Sequence, residues 1–149
     1  MDLSIIIPVY NTPIPVLRRC LSSVEAIVDV SFEVLLVDDG STDGTGRLCD
    51  EIAQTDSRIK VLHIPNSGAN RAREWGVNKA CNSEYITFVD SDDSLPPTAL
   101  QDLYALTSDK YDIIIGSYDR NPKQYIEEEI DKLELVRRIY HYDIASSPY

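Results

Sequence analysis

The sequence has no apolar run long enough to cross a bilayer. Its most hydrophobic start, Leu3 to Val9, is seven residues long where a spanning helix needs roughly 20, and it lacks the basic lead of a signal peptide. Basic residues are few, 14 against 25 acidic ones, for a formal net charge of −11. There is thus no broad positive field to draw nucleic acid or anionic lipid by counterion release. Cysteines are scarce too: Cys20, Cys49 and Cys81 form no CxxC pair, which suggests neither a disulfide framework nor a thiolate zinc site and fits a reducing cytoplasm. With only 6 Gly and 8 Pro in 149 residues, collagen-like and low-complexity classes are excluded. What remains is an ordinary globular composition, 43% hydrophobic and 26% charged, about one domain in size and able to bury roughly 70% of its unfolded surface.

Five short runs rich in Ile, Val and aromatic residues, at 3–9, 32–37, 58–64, 85–89 and 111–117, read as β-strands. Several are apolar at consecutive positions, the pattern of strands covered by helices on both faces. Helical patterns alternate with them. Pro13 and Pro15 open the first, in which Leu17, Cys20, Leu21, Val24 and Ile27 or Val28 recur at helical spacing. Ser41 or Thr42 is placed to cap the second, which carries Leu48 and Ile52. Segments 69–81 and 96–107 supply two more. This order predicts an α/β fold, a doubly wound and mainly parallel sheet with right-handed crossovers and helices on both faces.

The character changes after Ser117. Residues 119–124 are polar, and 127–142 read as a charged helix with Ile126, Ile130, Leu133, Val136 and Tyr140 on an imperfect stripe. A core at 1–118 and the start of a further segment at 119–149 are therefore expected. Residues 144–149 carry no terminating structure of their own, so the chain is expected to be truncated there.

In open α/β sheets ligands bind beyond the carboxyl ends of the strands, so chemistry is sought in the segments that follow them. Three are unusual: Pro8 to Thr12, Asp38-Asp-Gly-Ser-Thr-Asp-Gly-Thr45, and Asp90-Ser-Asp-Asp93. Five carboxylates, Asp38, Asp39, Asp90, Asp92 and Asp93, are expected to converge on one rim, where only a cation or hydrogen-bond donors can offset their repulsion. An Asp-x-Asp pair suits a hard divalent cation. Magnesium keeps several waters and completes its shell with substrate phosphates, so so sparse a ligand set implies a diphosphate ligand. By itself, 90–93 reads equally well as a solvated turn and helix cap. One Asp of the 38–39 pair is a candidate for a ligand hydroxyl or ring N–H. Tyr10 offers its face to a base or packs against a helix. No Gly-x-Gly-x-x-Gly follows the first strand, so NAD and FAD are not expected.

Two alternatives stand beside this reading. Residues 39–50 resemble an EF-hand calcium loop in their oxygen spacing and in Gly44, although position 12 is Asp50 instead of Glu and a β-type run feeds the loop. An aspartyl nucleophile within 90–92, in a magnesium-dependent phosphotransferase or phosphatase, also fits a metal but leaves Tyr10 and Asp39 without a role.

Taken together, Ser4-Ile-Ile-Ile-Pro-Val-Tyr-Asn11, Val37-Asp-Asp-Gly-Ser-Thr-Asp-Gly-Thr45, Asn66-Ser-Gly68 with Ala72-Arg73 and Gly76, and Glu84-Tyr-Ile-Thr-Phe-Val-Asp-Ser-Asp-Asp93 resemble family 2 of the glycosyltransferases in order and spacing, over about residues 3–118. The resemblance implies a GT-A, Rossmann-like fold whose 1–118 part binds a nucleotide-sugar donor, commonly a UDP-sugar. It implies that Pro8, Val9, Tyr10, Asn11 and Asp39 hold the nucleoside, and that Gly68 permits close approach of backbone to ligand. Asp90, with Ser91 in the binding set, would lie nearer the ribose or sugar, and Asp92 with Asp90 would bind Mn²⁺ or Mg²⁺. Arg73 would stand beside the nucleotide or pair with a rim Asp. Glu74 departs from the family's common Ala-Arg-Asn form, which bears on sugar-side contacts.

In that family the reaction is an inverting displacement by an acceptor hydroxyl, with a carboxylate base. No segment here matches the base, which is expected beyond Tyr149; Glu127-Glu-Glu129 reads better as a solvated helical face. The acceptor would be a glycan or a lipid-linked molecule in cell-surface glycan synthesis. The resemblance implies a cytoplasmic enzyme, touching the inner membrane surface, if at all, through segments absent here. His63 and His141 have no metal-ligand partner at useful spacing and read as structural. Trp75 is a packing residue or a sugar platform, and the cysteines read as core fillers.

Overall fold

The structure, a computed structural model, describes residues 2–80, 83–96 and 98–109. The elements run β1 (Leu3–Val9), α1 (Ile14–Glu25), β2 (Phe32–Asp38), α2 (Thr45–Ala53), β3 (Ile59–His63), α3 (Ala69–Lys79), β4 (Tyr85–Phe88) and α4 (Ala99–Ala105), closing on a 3₁₀ turn at Leu106–Asp109. The chain divides into two units, Met1–Gly116 and Ser117–Tyr149, and every described residue belongs to the first. The expected strand at 111–117 and the charged helix at 127–142 lie outside the described residues.

All strand pairs are parallel, in the order β3-β2-β1-β4. The chain lays down β1, β2 and β3 in one direction and then crosses back over β1 to place β4 on its far side. That reversal makes the β1/β4 boundary a topological switch point. Strands β1 and β2 are buried at every position, which explains why their sequences are apolar without alternation. Their side chains sort by parity into two cores. Ile5, Ile7, Val34 and Leu36 face α1 and α2 through Leu17, Cys20, Leu21, Val24, Leu48, Cys49 and Ile52, with Leu100 of α4 joining the same cluster. Ile6, Leu35 and Val37 face the opposite side with Ala72 of α3 and Ile64. Helices thus cover both faces, as the sequence predicts. Each fully buried Ile of β1 contributes about 1.5–3 kcal/mol.

Helix α1 begins on a proline-rich first turn with no side-chain cap, its fixed φ suited to that place. Of the two candidates for its last core position, Ile27 is buried and Val28 is exposed. The cap expected at α2 is corrected. Neither Ser41 nor Thr42 caps that helix, which starts at Thr45 behind Gly44 in a left-handed conformation. Asp43 takes the capping role, its Oδ1 accepting the Thr45 N–H at 3.0 Å and the Thr45 hydroxyl at 2.5 Å. Ser41 and Thr42 are used instead to join the loop to the neighbouring turn, as described below.

Helix α3 lies so close to β1 that a Cβ at position 76 would stand 2.4 Å from Ile6 Cγ2. Glycine there reflects helix–sheet packing, since both partners are buried and cannot swing aside. Toward the other end of the sheet, the fully buried Glu33 carboxylate accepts the Ser4 hydroxyl and the Lys60 ammonium, both at 2.7 Å. This pairing avoids the cost of an uncompensated buried charge. Gly76→Ala should lower stability by about 1–3 kcal/mol through overpacking, even though alanine is the better helix former by ~1 kcal/mol; the urea midpoint of unfolding measures the balance.

Candidate functional site

Because the strands are parallel, the loops after β1, β2, β3 and β4 share one rim. They enclose a cleft of about 530 Å³, within the range of small-molecule sites. All ten residues that the family resemblance assigns to the donor and its metal line it: Pro8, Val9, Tyr10, Asn11, Asp39, Gly68, Arg73, Asp90, Ser91 and Asp92. Thr12, Pro13, Asn66 and Ala69 line it too. Thr12 and Asn66 fall within segments singled out in the sequence, Pro8 to Thr12 and Asn66 to Gly68, but neither is given a binding role there.

The rim is tied together by its own polar groups. Asn11 adopts φ +47°, a left-handed conformation that Asn tolerates better than most residues. There its N–H donates to Ser41 Oγ at 3.0 Å, and its Oδ1 accepts the Thr42 N–H at 2.8 Å. The turn after β1 and the loop after β2 are thereby joined in both directions. Asp39 is nearly fully buried and its N–H donates to Val9 O at 2.8 Å. Its Oδ1 accepts the Ser67 N–H at 2.7 Å and hydroxyl at 3.1 Å, and its Oδ2 accepts the Gly68 N–H at 2.8 Å. Gly68 has φ +91°, which a side chain would strain. One carboxylate thus anchors the loop that enters α3, and Oδ2 keeps acceptor capacity toward the cleft.

The expected convergence of five carboxylates is corrected to three. Asp39, Asp90 and Asp92 line the cleft, while Asp38 and Asp93 do not. Asp38 is instead buried beneath α2, its Oδ1 accepting the Ser41 N–H at 3.0 Å and its Oδ2 meeting His63 Nδ1 at 2.8 Å. His63 Nε2 meets Asp50 Oδ1 at 3.0 Å, so this histidine bridges the end of β2 to α2. Its structural role was read from sequence; its two partners, 25 and 13 residues away, were not. These bonds also dispose of the calcium loop. Asp39 turns to Ser67 and Gly68, Asp43 to Thr45 and Asp50 to His63, so the three carboxylates point to three different partners.

Asp90 Oδ1 pairs with Arg73 Nη2 at 2.5 Å, which realises the rim-Asp pairing considered for that arginine and offsets part of the local repulsion. The Asp92 carboxylate is exposed and has no hydrogen-bond partner among the described residues. One free carboxylate and one half-occupied carboxylate, all hard oxygens, suit a magnesium- or manganese-class ion whose remaining positions are filled by water or phosphate. They could not form a closed protein cage, and among the described residues no group of three or more His, Cys, Asp and Glu side chains could hold a metal. Behind the turn, Asp93 is held above the usual carboxylate range by burial and then by Asp92 and Asp90. Burial pushes the Cys20 thiol up to about 11 and the Cys49 thiol to about 12, so both are inert core residues; Cys81 lies outside the described residues. Trp75 is half-exposed on α3 beside Arg71, Glu74 and Asn78, away from the cleft.

A parallel α/β sheet with an acidic, ligand-sized cleft at its switch point defines a class of small-molecule binding enzymes and carriers. The chain belongs to glycosyl transferase family 2, which it matches over residues 4–145. Glycosyltransferase GlyG of Streptococcus pneumoniae is 39% identical over 118 residues, 78% of this chain and 38% of that relative. Minor teichoic acid biosynthesis protein GgaA of Bacillus subtilis is 36% identical over 121 residues, 76% of this chain and 26% of that relative. Among solved structures, S. aureus TarS 1-349 in complex with UDP-GlcNAc superposes with TM-score 0.65 at 32% identity, over 73% of this chain and 32% of that one. The fold is therefore the GT-A type of α/β sheet. The chain spans well under half the length of these relatives. Among the described residues no helix is long and apolar enough to cross a membrane.

The His63 bridge carries a pH signature. Its hydrogen bonds to Asp38 and then Asp50 raise its pKa above the ordinary 6.5, so the folded chain favours the protonated ring. That stabilisation is complete below the unfolded value and is lost as pH rises through the raised folded value. His63→Gln should therefore lower the melting temperature at about pH 6, with the gap to wild type narrowing toward about pH 9. Thermal unfolding across that range is the measurement, and a gap widening with pH would contradict the bridge.

Proposed function

We propose that this chain carries the donor site of an inverting, divalent-metal-dependent glycosyltransferase that moves a sugar from a nucleotide-sugar, a UDP-sugar in our reading, to an acceptor hydroxyl in cell-surface glycan synthesis. The observation that carries this reading is the common orientation of Asp39, Arg73, Asp90 and Asp92 toward one cleft whose size suits a nucleotide. Support comes also from TarS, which has been captured with UDP and with UDP-GlcNAc, and from relatives named for glycosyl transfer and teichoic acid synthesis.

In this reading residues 1–118 form the donor part and 119–149 begin the acceptor side. Pro8, Val9, Tyr10 and Asn11 frame the nucleoside: Tyr10 is 52% exposed at the cleft mouth, so its ring is available to stack on a base. Asp39 Oδ2 accepts from the nucleoside while keeping the Gly68 loop in place. Gly68 brings backbone close to the ligand, and Ser91 and Asp90 lie toward the ribose or sugar. Asp92 and Asp90 would hold Mn²⁺ or Mg²⁺, which supplies charge compensation for the departing diphosphate. Arg73, by pairing with Asp90, offsets part of the negative charge gathered there.

The transfer itself balances simply. The acceptor oxygen forms its bond to the anomeric carbon as the bond from that carbon to the diphosphate oxygen breaks, which inverts the configuration. The acceptor proton passes to a carboxylate base, and no described residue is assigned to that role. The acceptor is a glycan or lipid-linked molecule, and the enzyme works in the cytoplasm. The aspartyl phosphotransferase alternative leaves Tyr10 and Asp39, which line the same cleft, without a role.

Calorimetric titration with UDP in the presence and absence of Mn²⁺ tests the reading. Asp92→Asn should weaken manganese-dependent UDP binding about tenfold or more, ~1.4 kcal/mol, while Glu51→Gln on the outer face of α2 should leave it unchanged. Equal effects of the two changes would reject the site.

A further inference from the structure

The backbone of the turn that carries Asp90 and Asp92 is held by α1 and the residues leading into it, while the Asp90 side chain is taken by Arg73 of α3. Thr12 Oγ1 meets Ser91 Oγ at 2.7 Å, the Cys20 thiol donates to Asp90 O at 3.5 Å, Arg19 Nη2 donates to Asp92 O at 2.8 Å, and the Leu95 N–H donates to Ser23 Oγ at 3.0 Å. Arg19, Cys20 and Ser23 stand one and three residues apart, so a single stretch of α1 reads out the backbone from 90 to 95. Among the described residues, the turn closes on itself through the Asp93 N–H to Asp90 O bond at 3.0 Å.

Arg19 is the unusual member of this set. An arginine near a carboxylate ordinarily pairs with it, since the charge-assisted bidentate bond is the stronger contact. Here its recorded hydrogen bond goes to a peptide oxygen of Asp92, and the Asp92 carboxylate is left without a hydrogen-bond partner among the described residues. Asp92 lines the cleft and Arg19 does not.

We propose that Arg19 is a positioning residue for the cation: by gripping the Asp92 carbonyl it fixes the peptide from which the Asp92 carboxylate reaches the cleft. This rests on the reading that Asp92 and Asp90 hold a divalent ion with a nucleoside diphosphate. It differs in sign from a plain charge effect. Removing a nearby positive charge would strengthen cation binding by making the site more negative, whereas losing a positioning contact weakens it.

The test uses the full 149-residue chain, with UDP and Mn²⁺ as probes in calorimetry. Arg19→Met keeps the aliphatic stem and removes the donors. It should weaken manganese-dependent UDP binding about tenfold, the scale of supporting contacts around metal ligands, while metal-free UDP binding stays unchanged. Arg19→Lys, which restores the charge and one donor, should recover part of the loss. Arg18→Met, the same charge change on the exposed neighbour, should leave binding as in wild type or tighten it slightly. Should Arg19→Met not fold, as judged by circular dichroism, Arg19→Lys is compared directly with wild type and must still bind more weakly. Unchanged or tighter manganese-dependent binding in the Arg19 variants, with Asp92→Asn weakened, would overturn this inference alone. If Asp92→Asn binds as wild type, the metal reading itself fails and takes the inference with it.

Discussion

Parallel pairing of β1 with β2 on one side and β4 on the other sets the geometry of every residue in the cleft. Val9 stands opposite Asp38, so β1 and β2 end together, while β4 ends at Phe88 opposite Ile6 and its outgoing segment, Val89 to Asp92, runs on toward the same rim. A slip of one residue would turn the Ile5 and Ile7 side of β1 toward the wrong helices and break both cores at once. Burial on two faces therefore does more than stabilise the sheet. It holds the register that brings Asn11, Asp39 and Asp90 to one rim from distant parts of the sequence.

A chain of net charge −11 must manage its own repulsion before it can receive another anion. The rim does this unequally. Asp38 is paired with a histidine, Asp39 is satisfied by three donors of the 67–68 loop, and Asp90 is matched by Arg73. Asp92 is the carboxylate left over. Local neutralisation of its neighbours lets one exposed carboxylate project its charge into the cleft, and this makes a cation the natural intermediary between an acidic protein and a phosphate-bearing ligand.

Much of the fold could be read from periodicity. Consecutive apolar residues at 3–9 and 32–37 signal double-sided burial, and the spacing of Leu17, Cys20, Leu21 and Val24 signals the face of α1; both expectations are met because burial is a one-dimensional pattern. Ser41 and Thr42 have the right chemistry to cap α2, yet the helix starts only at Thr45, and the Ser41 hydroxyl is taken by a tertiary partner, Asn11. The site residues were legible through strand-end position and the family resemblance, whereas Asp38 was grouped with the wrong neighbours. Its bond to His63 depends on how β3 lies beside β2, and no local pattern carries that information. The grip of Arg19 on a carbonyl was invisible for the same reason: a residue type announces its charge, and only packing decides what it touches.

The hydroxyl pair between Thr12 and Ser91 has a consequence for what the cleft can accept. Either oxygen can be the donor at 2.7 Å, and both residues line the wall. Rotating two hydrogens, with no heavy atom moving, reverses the bond's direction. When Thr12 donates, the Ser91 hydrogen is released to point elsewhere; when Ser91 donates, the Thr12 hydrogen is. This part of the wall thus has a polarity that an incoming group can choose for itself, greeting a lone pair or a proton with equal ease.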